Sequence, residues 1–158
     1  MKILGLTRNQ FLWVVFTLVV IAGATALNLA ASKRRSRDAQ RKADLRSVTA
    51  GLYLFRENYD SFPLSADGQI LACGKPEIKD GQYFFNKCAW GVDGLYDVKK
   101  LPTEPHQVQG ASYFYNSTGE EFALYASLED VSDVDYNPEI VNLGLWCGNR
   151  VCNYSIVK

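Results

Sequence analysis

The chain has 158 residues, enough for one ordinary domain plus a segment outside it, and 17 acidic against 17 basic side chains. The balance is uneven: residues 1–58 hold ten Lys/Arg and three Asp/Glu, whereas residues 59–158 hold seven and fourteen. Such a division marks two parts with different surroundings, and the acidic part lacks the clustered cations that nucleic-acid phosphates require.

Residues 1–10 read as a possible leader and cytoplasmic N-terminus. From Phe11 to Ala31 there follow 21 residues without a charge, FLWVVFTLVVIAGATALNLAA. At about 1.5 Å per residue they reach about 30 Å, the thickness of a bilayer core. A cleaved signal peptide is the rival reading, but its apolar region would be unusually long and the helical pattern continues past it. Lys33, Arg34, Arg35 and Arg37 flank the span, and the positive-inside rule alone puts the following part in the cytoplasm. A basic helix at this place also fits contact with anionic lipid headgroups.

Residues 32–58 continue as an amphipathic helix, because Leu45, Val48, Leu52, Phe55 and Tyr59 recur at steps of three and four. No proline interrupts the stretch from Phe11 to Asn58, so one helix is expected, ending at Asn58-Tyr59-Asp60-Ser61-Phe62-Pro63. Residues 59–158 form the head. Glycine-containing loops fill it to about residue 110, and ASYFYNSTGEEFALYASLE then predicts two strands around Asn116-Ser117-Thr118-Gly119. The tail LGLWCGNRVCNYSIVK predicts a second hairpin. The expected class is α+β, a long N-terminal helix packed on a small antiparallel sheet.

Cys73, Cys88, Cys147 and Cys152 all lie in the head. An even count beside a membrane-crossing segment predicts two disulfides outside the cytoplasm, against the charge rule. Three pairings exist; Cys73–Cys88 with Cys147–Cys152 is favoured because CGNRVC reads as a tight turn. Zinc is disfavoured, since there is no CxxC and His106 stands alone. No catalytic constellation is visible, and His106 reads as a solvated turn residue, so no enzymatic activity is expected. The oxygen-rich run Glu129, Asp130, Asp133, Asp135 and Asn137 is the one metal candidate. Asp133-x-Asp135-x-Asn137 matches the start of a calcium loop, yet Pro138 stands where an EF-hand needs glycine and Gly144 where it needs glutamate. Asn116-Ser117-Thr118 and Asn153-Tyr154-Ser155 fit the glycosylation acceptor pattern, the first being better explained as turn chemistry.

The run RSRDAQRKADLRSVTAGLYLFRENYDSFP resembles the second half of the long helix in type IV pilins and in the major pseudopilins of type II secretion. LPTEP followed by SYFYNSTGEEFALYASLED is similar to that family's loop and central hairpin. The resemblance implies a pilin-like fold with the N-terminus cytoplasmic and the head outside the cytoplasmic membrane, which settles the charge conflict in favour of disulfides. It implies a structural filament subunit whose partners are like subunits, the assembly machinery and the lipid bilayer. The family's calcium in a loop after the central hairpin adds calcium as an implied cofactor for the 129–137 run. It also implies leader cleavage between Gly5 and Leu6 with methylation at Leu6, a cut that would place Asp38 at the family's spacing. The fifth residue would then be Gln10, where the family has glutamate to meet a neighbouring subunit's amine; a glutamine cannot neutralise an amine. That departure points to a minor or initiating subunit. The alternative is a membrane-anchored extracytoplasmic binding module that never polymerises. In a filament, the basic stretch Lys33–Arg46 is expected to face a neighbour's acidic head.

Overall fold

One helix, α1 (Arg8–Tyr59), runs through both the apolar and the amphipathic stretches. The computed structural model describes residues 7–79, 82–95 and 100–158, which fall into two compact units, Met1–Ser36 and Arg37–Lys158. The first unit is helical from Arg8 onward. Its most apolar window is long enough to cross a membrane, and none of the described residues in that window is buried. The hydroxyls inside it are satisfied locally: Thr17 Oγ1 donates to the Val14 carbonyl at 2.9 Å and Thr25 Oγ1 to the Ile21 carbonyl at 2.7 Å. In hydrocarbon such internal partners matter, because no water is there to replace them.

In the second unit the predicted stripe is the spine of the core. Leu45, Val48 and Leu52 are fully buried, Phe55 is nearly so, and Tyr59 packs at the edge of the same cluster. Burying each such side chain contributes about 1.5–3 kcal/mol. α1 stops where expected: Asp60 takes a positive φ of 62°, and its N–H closes on the Arg56 carbonyl at 2.8 Å. Pro63 follows, fully buried.

The segment expected to be loops contains a sheet instead. β1 (Ser65–Ala66), β2 (Gln69–Lys79) and β3 (Gln82–Lys87) pair antiparallel in that order. Asp67-Gly68 makes the two-residue β1–β2 turn with both φ positive, 52° and 75°, as a type I′ turn demands. Any side chain at 68 would also meet the Phe114 ring, 2.5 Å from an added Cβ. β2 hides its alternation because its register shifts between Leu71 and Cys73 and again before Glu77.

The second sheet has the order β4 (Phe114–Ser117), β5 (Phe122–Ala126), β8 (Tyr154–Val157), all antiparallel. Asn116 and Ser117 are therefore the end of β4, not the turn, which lies at residues 118–121. β5 alternates as a half-buried strand should, with Phe122, Leu124 and Ala126 inward. The one sheet expected is thus two, with a separate short ladder of β6 (Trp146–Cys147) and β7 (Arg150–Val151) around Gly148-Asn149. A short helix, α2 (Pro138–Asn142), precedes that ladder. The disulfides are Cys73–Cys88 and Cys147–Cys152, the favoured pairing.

Candidate functional site

Gly5 and Leu6 lie outside the described residues. Gln10 does not: it is the third residue of α1, and its amide oxygen accepts the Thr7 N–H at 2.9 Å and the Thr7 hydroxyl at 3.0 Å. Gln10 supplies the glutamine half of a capping box, a side chain one turn in that satisfies the backbone N–H at the helix start. The position that departs from the pilin pattern thus has a local task in this chain.

At the start of the second unit, α1 carries charge on its buried face. Asp38, Arg41, Leu45, Val48 and Leu52 follow one another at steps of three and four, and Asp38 and Arg41 are as buried as the leucines. Arg41 is held by three carboxylates: Nε to Glu104 Oε1 at 2.5 Å, and Nη1 to Asp38 Oδ1 at 2.6 Å and Glu129 Oε1 at 2.8 Å. Arg37 grips Glu129 with both ends of its fork, at 2.7 and 2.5 Å. Asp38 also accepts the backbone N–H groups of Glu129 and Asp130. One helical turn therefore holds two loops, the 101–106 loop through Glu104 and the 127–137 loop through Glu129. A turn further on, Tyr113 donates to Asp44 at 2.6 Å.

Electrostatics follow the contacts. Burial works against the Arg41 charge, but the hydrogen bonds it donates to Glu129 and Glu104 outweigh it and raise its pKa. The Arg37 hydrogen bonds, helped by Arg41, hold the Glu129 carboxyl down at about 2. A carboxyl depressed on folding adds stability above its unfolded pKa, and that stability is lost as pH falls toward the folded value. Melting of the Glu129→Gln variant against wild type should therefore show a gap at about pH 5 that narrows as pH falls and closes only below about pH 2. An unchanged gap across that window would contradict the assignment.

His106 is not a free turn residue. Its N–H donates to Glu104, and its Nδ1 lies 3.5 Å from Glu129 Oε1 with its side chain 17% exposed. The five candidate calcium ligands do not converge. Among the described residues no group of three or more His, Cys, Asp or Glu side chains is placed to hold a metal ion. Glu129 belongs to Arg37 and Arg41; Asp130 Oδ1 accepts the Ser132 N–H; Asn137 caps α2 through the Glu139 N–H. Lys42 lies between Asp133 and Asp135, 2.9 Å from each. The charge pairing foreseen between neighbouring chains is thus intramolecular at Arg37, Arg41 and Lys42, while Lys33 and Arg34 remain exposed. Asn153 is also occupied: it accepts the Leu128 N–H and donates to the Leu128 carbonyl, and it is buried.

A separate feature lies at the far end of the core. A cleft of about 390 Å³ is lined by Phe55, Tyr59, Phe62, Tyr83, Phe84 and Phe85, among others.

Comparison with protein-family models, with curated proteins and with solved structures finds no match to this chain. The geometry itself defines an α+β unit stapled by two disulfides, behind an N-terminal helix long and apolar enough to cross a membrane.

Proposed function

We propose that this chain is a structural subunit of a type IV pilus-like or pseudopilus filament, minor or initiating in rank. It is held in the cytoplasmic membrane with its head outside, and is drawn into the filament by its N-terminal half-helix. The observation that carries the reading is α1 itself: in its first part none of the described residues of the apolar window is buried, and its second part is the spine of the head. An apolar helix whose described residues are exposed is covered by lipid before assembly and by like helices after it. Two disulfides support an extracytoplasmic head. Gln10, uncharged and engaged in capping, supports a subunit with no neighbour's amine to meet.

Filaments sheared from cells and probed for the head should contain this chain in small proportion. Peptide mapping of the mature protein should find methylated Leu6 as its first residue. Filaments without the chain, together with an intact Met1–Gly5 peptide, would sink the proposal. The aromatic cleft favours a second reading, a membrane-tethered binding module that stays monomeric. The same pair of measurements separates the two.

A further inference from the structure

We infer that Lys42 supplies the 133–137 loop with the positive charge that a divalent cation would otherwise bring, so that the folded head is independent of calcium. The inference stands apart from the filament reading, since it concerns only how the head is held together.

The alternating oxygens of Asp133-x-Asp135-x-Asn137 are the pattern by which a loop wraps a hard cation, which takes roughly six to eight oxygens at about 2.3–2.6 Å. Here the two carboxylates converge on an ammonium. Lys42 Nζ donates to Asp133 Oδ1 and Oδ2 at 2.9 and 3.0 Å and to Asp135 Oδ2 at 2.9 Å. Lys42 and Asp133 are mostly shielded, with side chains 16% and 18% exposed. The Asp135 N–H turns back onto Asp133 Oδ1 at 2.9 Å, which shapes the loop around the ammonium. Asn137, the third member of the pattern, is committed to its own helix. Charge agrees with geometry: the carboxylates raise the Lys42 pKa, and the Asp135 N–H followed by Lys42 lowers that of Asp133. Because Lys42 is borne on α1 one residue after Arg41, the cation is tethered, and the loop is fastened to the helix without drawing an ion from solution.

The test is thermal melting of the full chain in detergent micelles, in chelator and in millimolar calcium at matched ionic strength. Wild type should melt at the same temperature in both. Lys42→Gln should melt about 4 °C lower in chelator. Calcium should recover part of that loss, because the two carboxylates are then left facing each other. Lys42→Arg, which keeps the charge, should stay near wild type. Wild-type melting that rises with calcium would overturn the inference. So would a Lys42→Gln protein that melts like wild type, or one that calcium leaves unmoved.

Discussion

Replacing Arg41 by alanine should destabilise the Arg37–Lys158 unit by about 3–5 kcal/mol, the usual cost of removing one partner from a buried ion network. For a unit of this size that lowers the melting temperature by about 10–20 °C. The reason is the charge left behind. Asp38, Glu104 and Glu129 all point at the Arg41 guanidinium, and the first two are almost completely buried. Without the guanidinium, carboxylates face one another out of water. Arg41→Lys should recover little, because one ammonium does not reproduce a fork that meets three carboxylates at fixed angles. Glu104→Gln should cost less than either, since an amide oxygen still accepts from Arg41 Nε. Melting of the four proteins side by side checks the order. An alanine variant within about 2 °C of wild type would remove the network as an anchor.

The second large effect concerns the membrane. The stretch Phe11–Ala31 contains eleven Phe, Leu, Val and Ile residues. At about 0.3–0.6 kcal/mol each on insertion scales, they favour the bilayer by roughly 3–7 kcal/mol. Leu18 and Ile21 lie in the middle of the stretch, each 61% exposed. Arginine at both positions costs about 5–7 kcal/mol on the same scale, enough to cancel the preference. The double variant should leave the membrane fraction on alkaline extraction while wild type stays in it. Head disulfides formed normally in a detergent-refolded sample would show that only insertion was lost. A double variant retained as firmly as wild type would mean that the stretch is not what holds the chain in the membrane.

Much of this was legible because it is local. The 45–59 stripe repeats with the helical period, and CGNRVC folds on itself. Both are settled by residues close in sequence. The β1–β3 sheet was not legible, although Asp67-Gly68 is a hairpin signal: β2 breaks its alternation at two bulges and carries Gly74 and Pro76. The ionic network was half legible. Asp38 and Arg41 extend the apolar stripe backward by two further steps, and charges on a buried face demand partners. Which partners was out of reach, because Glu104 and Glu129 lie 63 and 88 residues beyond Arg41. The acidic run shows the same limit: Lys42, 91 residues before Asp133, brings a counter-charge from another element.

The buried face of α1 changes character along its length, from ionic at Asp38 and Arg41 through aliphatic at Leu45 and Leu52 to aromatic at Phe55 and Tyr59. A slip by one helical turn, about 5.4 Å, would bring a guanidinium among leucines and strip three carboxylates of their partner. The head is therefore keyed to one position along the helix. A pull on the helix along its axis is carried into the head as shear across this graded seam, and the seam has no neighbouring notch in which to re-engage.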